Sequence, residues 1–429
     1  MKQRLAIVEG YRSPFCKAGT TFKTIQADGL GAVIVRELMA RSALNYNEID
    51  EVIMGNVAQP GHAANIARVI ALQGGFGPET IAHTVNRNCA SGMEAITTAA
   101  NKIFAGEIEI AVVGGAESMS QIPLLFNAKM SELLLSLAAQ KTLLGRLKLL
   151  SAFRPAYLKP VIGIELGLTD PVCGLNMGET AELLSREFAI GRAEQDAFAL
   201  LSHQRASQAQ SAGLFAKEII PVAVAPDYKT IADQDNGPRA QQTLAALGSL
   251  RPYFDRLAGS VTVGNSCPIT DGAVAFTVMA EASAKQRGLQ PLGYLRDYSY
   301  AGLEGARMGL GPAYSTSVLL KKTGLAMDDF DLIELNEAFA VQVLANERAF
   351  ASDQFAQKYL RRDKALGAID RDKLNVNGGA IALGHPVGAT GGRLVLTLLH
   401  ELRRRGLQRG LATLCIGGGQ GASLVLEVE

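Results

Sequence analysis

The chain has 429 residues, 48% of them hydrophobic and 19% charged, with a formal net charge of +1. This length exceeds one ordinary core and calls for two or three domains. The balanced charge offers no global reason to bind nucleic acid, so a phosphate-bearing ligand must be held by a local patch. Five cysteines, an odd number in so long a chain, are not a disulfide framework and point to a reducing compartment. Residues Met1 to Val8 run straight into a strand-like segment with no apolar signal core. The expectation is therefore a cytoplasmic protein, or one of the mitochondrial matrix if a transit peptide has been removed. No apolar run reaches membrane-spanning length.

In chain order, Leu5 to Glu9 reads as a strand, Gly29 to Arg41 as a helix and Glu51 to Gly55 as a strand. A helix around Ala64 to Gln73, a strand from Ile81 to Asn86, a helix from Gly92 to Ala105 and a strand from Ile108 to Gly114 follow. Such alternation predicts an α/β layered sheet. The last part repeats the theme. Asp331 to Leu335 is strand-like, Glu337 to Phe350 helical, Leu374 to Asn377 strand-like and Gly388 to Arg405 helical. Leu411 to Ile416 and Ala422 to Val428 read as strands. The halves echo each other locally: Thr84-Val85-Asn86-Arg87-Asn88 and Leu374-Asn375-Val376-Asn377-Gly378 each precede a turn and a helix, a sign of duplication.

Between the halves, Leu124 to Lys159 is rich in leucine and carries Lys129, Lys141, Arg146, Lys148, Arg154 and Lys159 against Glu132 alone. Leu133, Leu137, Leu144 and Leu147 keep helical spacing, which predicts a greasy face. With its basic flanks, that face suits an acyl chain, a partner subunit or a membrane surface. Packing within the protein or across a homodimer is the plainer reading.

Four short segments carry chemistry: Asn88-Cys89-Ala90-Ser91-Gly92-Met93, Asn336-Glu337-Ala338-Phe339-Ala340, Gly384-His385-Pro386-Val387-Gly388-Ala389-Thr390-Gly391 and Cys415-Ile416-Gly417-Gly418-Gly419. Cys89 is expected at a helix N-terminus, where unpaired N–H groups favour a negative sulfur and an acyl-accepting nucleophile. A neutral His385 in its turn is suited to take that thiol's proton. Cys415 closes a strand. An unperturbed thiol titrates near ~8.5, so it can serve as acid or base. The glycines after it leave backbone N–H groups free to approach a ligand. Asn336 alone reads as a helix N-cap. No grouping with metal-ligand spacing is evident.

These motifs, in this order, resemble the thiolase family. The resemblance runs from Val8-Glu9-Gly10-Tyr11-Arg12-Ser13-Pro14 to Ala422-Ser423-Leu424-Val425, with Asn176-Met177-Gly178-Glu179-Thr180-Ala181-Glu182 and Ser202-His203-Gln204-Arg205-Ala206 between. It implies a duplicated α/β/α/β/α layered sandwich with an inserted loop domain over the active site. On that pattern residues 1–122, completed by about 258–283, form the first half, 123–257 the loop domain and 284–429 the second half.

The resemblance also implies a chemistry. Cys89 is acylated, Cys415 moves the proton at carbon, and His385 acts as base and as donor to the thioester oxygen. The N–H groups of Cys89 and Gly417 form one oxyanion hole, and His385 with a water held by Asn336 forms a second. Met177 and Met308 match positions lining the pantetheine or acyl pocket, and Phe339 belongs to the same motif as Asn336. Cys267 stands near the cofactor where relatives often carry Ser or Thr. Coenzyme A and acyl-CoA enter as substrates, with no tightly bound cofactor. A homodimer or homotetramer is implied, and the insert resembles that of thiolases partnered with a hydratase/dehydrogenase subunit.

Two other readings stay open on residues alone: a decarboxylating ketosynthase-like enzyme, against which Cys415 argues, and a non-catalytic lipid-binding relative. The insert points to the fatty-acid oxidation branch, which usually carries His-Glu-Ala-Phe. Asn336-Glu337-Ala338-Phe339 instead matches acetoacetyl-CoA and general 3-ketoacyl-CoA thiolases. Acyl length and direction are left open.

Overall fold

The computed structural model describes residues 3–429. One compact unit takes in everything described up to Gln121 together with Asp170–Glu429, and Ile122–Thr169 form a second unit.

The main strands of the first unit are β1 (Leu5–Arg12), β2 (Glu51–Gly55), β3 (Ile81–Val85), β4 (Ile110–Glu117), β5 (Thr270–Ala280), β6 (Gly293–Gly302), β7 (Leu332–Leu335), β8 (Arg409–Ile416) and β9 (Gln420–Glu427). Their order in one sheet is β7-β8-β9-β6-β1-β5-β4-β2-β3. The central pair, β1 and β6, is antiparallel with Leu5 opposite Leu295. Outward from it the two wings repeat one pattern. An antiparallel step leads to β5 or β9, a second to β4 or β8, and a parallel step to β2 or β7. β2 and β4 are buried along their whole length, which is why they read as unbroken apolar runs.

The first wing ends in β3, parallel to β2. At the matching place in the second wing stands Leu374 alone, a parallel bridge to Ile333. The strand expected over Leu374 to Asn377 does not form. Asn375 takes a positive φ of 44°, and its side-chain amide pairs with both the N–H (2.9 Å) and the C=O (2.8 Å) of Leu335. A side chain thus supplies the pairing that a strand backbone supplies in the first wing.

Three helices accompany the first wing: α1 (Ala27–Arg41), α2 (Ile66–Gln73) and α3 (Ser91–Phe104). The second unit contributes α4 (Ala128–Ala139) and α5 (Leu143–Ser151). Then come α6 (Met177–Glu187), α7 (Arg192–Ser211), α8 (Gly311–Thr323), α9 (Ala340–Phe350) and α10 (Val387–Arg405).

α3 and α10 pack on each other, and α10 touches strands of both wings. α1 and α2 cover the outer face of the first wing, and α8 covers that of the second with α9 beside it. The layers run helix, sheet, helix, sheet, helix, as the duplicated sandwich requires. α10 is buried nearly all round, as a helix in a central layer must be. Close approach at its start depends on Gly92, where a Cβ would stand 2.7 Å from the Gly392 nitrogen. Among the described residues no helix is long and apolar enough to cross a membrane.

In the second unit, two-residue strands pair Leu124 with Ile162 and Leu125 with Val161 and close the segment on itself. The greasy face is divided between two helices. Thr142 accepts a hydrogen bond from Gly145 N–H and starts α5 afresh, as an N-cap does. Leu133 is buried, whereas Leu144 and Leu147 are 82% and 55% exposed.

Candidate active site

In each wing the parallel strands end on the same side as the starts of α3 and α10. Helix N-termini there present unpaired N–H groups and a favourable dipole to negative charge. Cys89 lies two residues before α3, in a turn where Asn88 has a φ of 44°. The turn is held from within. Ser91 Oγ donates to Asn88 C=O (2.7 Å) and accepts from Arg87 N–H (2.9 Å). Arg87 is itself fixed by Glu94 (2.6 and 3.1 Å) and by Gln420 (3.1 Å), over the Tyr300 ring.

The Cys89 turn meets the glycine turn after β8. Asn88 Nδ2 donates to Gly417 C=O at 2.8 Å. Burial pushes the Cys89 thiol up to about 11, while the backbone N–H groups of Gly417 and of Cys89 itself favour the thiolate. Those two N–H groups are the pair expected to form an oxyanion hole. Met177, at the start of α6, places its Sδ 3.3 Å from where a Cβ on Gly417 would stand.

Cys415, near the end of β8, is buried. Its thiol is raised well above the ordinary range by burial first, then by the charges of Cys89 and Cys267. Cys267 is pushed up to about 12 by burial and by Cys89. The three thiols therefore form one electrostatic cluster. Cys267 reaches it through pairing with the Asn336 motif: its N–H donates to Ala338 C=O (3.0 Å), and Ser266 bridges Phe339.

Asn336 follows β7 beside β8, with its N–H on Thr413 C=O at 3.0 Å. It does not cap a helix. The N-cap of α9 is Phe339, and the helix begins at Ala340 rather than at Glu337. The Asn336 side chain is fully buried, and neither its Nδ2 nor its Oδ1 has a hydrogen-bond partner among the described residues. An unpaired buried amide costs about 1–3 kcal/mol per group, which a polar ligand atom can offset.

His385 occupies the turn before α10. Its N–H donates to Thr270 Oγ1 (3.2 Å), and it bridges Ile269, two residues beyond Cys267. Nδ1 lies 2.7 Å from Thr390 Oγ1. Thr390 donates its own hydroxyl proton to Pro386 C=O at 2.9 Å, so it accepts from Nδ1–H. The lone pair then sits on Nε2, free to take a proton. Burial, then the charge of Arg393, lowers the imidazole to about 4 and keeps it neutral. Arg393 is held by Glu334 at 2.6 Å. Thr390→Val is expected to release the tautomer and remove much of the ~100-fold or more that a positioned base contributes. A drop in kcat with KM unchanged checks this.

The depressed His385 also ties stability to pH. Its folded value of about 4 lies below the ordinary 6.5, so the unfolded chain binds more protons between these limits. The contribution is complete above pH 6.5 and is lost as pH falls to about 4. In urea titrations across that window, the stability difference between the wild type and His385→Gln is expected to shift by up to ~3 kcal/mol in the variant's favour at the acid end.

The remaining expected binding residue, Met308, is buried in the core of the second half on the segment Gly305–Leu310, which packs against α6. Residue-level reading missed Glu117 and Thr390 and assigned no role to Glu337. Thr390 stands inside a motif. Glu117 and Glu337 find their partners only through the fold.

Residues 5–282 match the family model of the thiolase N-terminal domain, and residues 289–428 that of the thiolase C-terminal domain. A 3-ketoacyl-CoA thiolase of Serratia proteamaculans is 44% identical over 427 residues, covering 99% of this chain and 97% of the relative. One of Shewanella pealeana is 42% identical, covering 100% and 97%. Among solved structures, the Bacillus anthracis acetyl-CoA acetyltransferase superposes with a TM-score of 0.87 at 36% identity, covering 99% of this chain and 98% of that one. Human mitochondrial 3-ketoacyl-CoA thiolase in complex with CoA gives 0.85 at 34% identity, covering 100% and 98%. Together the two domain matches span nearly the whole chain, which belongs to the thiolase family of acyltransferases.

Proposed function

We propose that the chain cleaves 3-ketoacyl-CoA with coenzyme A to acetyl-CoA and a shortened acyl-CoA, and runs the reverse Claisen condensation, through an acyl group on Cys89. The observation that carries this reading is the meeting of the Cys89 turn with the glycine turn that follows Cys415, joined by Asn88 Nδ2 on Gly417 C=O at 2.8 Å, so that the Gly417 N–H favours the Cys89 thiolate.

In the cleaving direction, His385 Nε2 takes the Cys89 proton as sulfur attacks the 3-keto carbon. The charge that develops on that oxygen is met by preorganised N–H donors. The C2–C3 bond breaks, the acyl group stays on Cys89, and the electron pair leaves as the enolate of acetyl-CoA. Its oxygen is stabilised by His385 and by a water on Asn336, and Cys415 gives its proton to the carbon. A second coenzyme A gives its thiol proton to the Cys415 thiolate and attacks acyl-Cys89; the shortened thioester leaves, and the Cys89 thiolate takes its proton back from the His385 imidazolium. The neutral imidazole is in the form that accepts a proton and the Cys415 thiol in the form that gives one, and each transfer accompanies the making or breaking of a bond. His385→Gln tests it: thiolysis of acetoacetyl-CoA at the wild-type rate would sink the mechanism.

The comparisons favour neither the ketosynthase nor the non-catalytic reading. Division into halves 1–122 with 258–283 and 284–429, around a loop region 123–257, fits the repeated wings. A homodimer or homotetramer in the cytoplasm completes the proposal. Acyl-length preference is read from thiolysis rates across a ladder of 3-ketoacyl-CoA lengths.

For the insert, six basic residues against one acidic across Leu124 to Lys159, with leucines left exposed, fit an anionic lipid surface. The protein is expected to float with anionic vesicles and to be released by high salt. Co-elution with a hydratase/dehydrogenase subunit and no flotation would assign the face to a protein partner. Absence of both would leave it a packing element.

A further inference from the structure

His385 lies on a stretch of chain gripped on both sides by a buried carboxylate. Upstream, Glu337 accepts from the Ile381 N–H (3.2 Å), the Ser202 hydroxyl (2.6 Å) and the Asn375 amide (2.9 Å). Downstream, Glu117 accepts from the Gly388 N–H (2.9 Å), the Ala58 N–H (2.9 Å), the Val57 N–H (3.1 Å) and the Asn56 amide (3.0 Å). Both glutamates are fully buried. A carboxylate so placed is tolerable only when its oxygens are well hydrogen-bonded.

Each carboxylate joins the histidine segment to a different part of the site. Glu337 directly follows Asn336. Glu117 ends β4 in the first wing, and Gly388 begins α10 in the second half, so Glu117 ties the half that carries Cys89 to the half that carries His385. The chain makes room for both. A side chain at Gly379 would overlap the Glu337 carboxylate, and a Cβ at Gly388 would stand 3.0 Å from Glu117 Oε2.

We propose that Glu117 and Glu337 are positioning residues of the reaction, fixing the His385 imidazole against Cys89 and Asn336 without touching substrate. The inference rests on His385 acting as the base. A misplacement of about 1 Å at a reacting group costs on the order of 100-fold in rate. Glutamine at 117 turns its NH2 group toward a backbone N–H donor whichever way it is placed, and at 337 toward the Asn375 NH2 or the Ile381 N–H. Aspartate at 117 keeps the charge but is one methylene too short to span from β4 to Gly388.

Glu117 has a second signature. Its charge raises the Cys89 thiol. Its own carboxyl is lifted to about 7 by burial, opposed by its backbone donors and aided by nearby Asp271.

The test combines Glu117→Gln, Glu117→Asp and Glu337→Gln. Thiolysis of acetoacetyl-CoA gives kcat and KM, and alkylation of Cys89 by iodoacetamide across pH is followed by peptide mass spectrometry. All three variants are expected to lose kcat on the order of 100-fold with KM little changed. Glu117→Gln is expected to move the alkylation profile to lower pH, so its thiol reacts faster while turnover falls. Glu117→Asp, with the charge intact, is expected to leave that profile in place. A fold merely loosened by substitution raises KM and yields no such opposed pair. Wild-type kcat in any soluble variant overturns the role of that glutamate, and if Glu117→Gln does not fold, Glu117→Asp decides. Wild-type kcat in His385→Gln instead overturns the reading beneath the proposal.

Discussion

Cys89→Ala is expected to abolish thiolysis of 3-ketoacyl-CoA and condensation of acetyl-CoA together. No other nucleophile can replace it. Burial raises all three thiols, Cys89, Cys267 and Cys415, but only Cys89 has the Gly417 N–H directed at its sulfur to oppose it. Cys89 alone combines that donor with a place before a helix N-terminus. Removing a nucleophile that acts as a unit with its base costs on the order of 10⁴- to 10⁶-fold in kcat. Because the side chain only shrinks, the Tm is expected to hold, and acyl-CoA binding by calorimetry should persist. Residual turnover within tenfold of the wild type would show that acyl transfer runs elsewhere.

Cys415→Ala is expected to divide the reaction. The variant should still accept an acetyl group on Cys89, because the Cys89 turn, its Asn88–Gly417 hydrogen bond and His385 do not depend on the second thiol. It should fail to exchange the acetyl methyl protons with solvent, since no other group is assigned to remove them. A positioned acid–base group contributes on the order of 100- to 10,000-fold, and loss of that size is expected in both net directions. Deuterium wash-in to acetyl-CoA at the wild-type rate would refute the division of labour. A loss of Cys89 acetylation would show instead that Cys415 supports the first step.

The thiols and the histidine were legible because each lies in a contiguous motif whose local structure is set by near neighbours: Cys89 between a strand end and a helix start, His385 in the turn before α10, and Cys415 at a strand end that runs into a glycine turn. The alternation of apolar strands with helices likewise reveals the layered sheet. What escaped depends on partners far along the chain. Asn375 looks like part of a strand, yet its amide replaces a strand by pairing with Leu335 forty residues away. Glu337 looks like a good first-turn residue, but its buried carboxylate is committed to Ser202, Asn375 and Ile381, and the helix waits until Ala340. Glu117 gives no local sign of reaching Gly388, 271 positions on. In the insert, leucine spacing signalled helix but not the break at Thr142, whose side chain caps a new one.

The account turns on a covalent acyl group at Cys89, and one measurement addresses that directly. The wild-type protein is incubated with acetyl-CoA, quenched in acid, digested and read by mass spectrometry. The prediction is acetyl mass on the peptide bearing Asn88-Cys89-Ala90 and on no other thiol, discharged when free coenzyme A is added before the quench. An acetyl group found on Cys267 or Cys415 with Cys89 unmodified, or no acetylated peptide from protein that turns over, would contradict it.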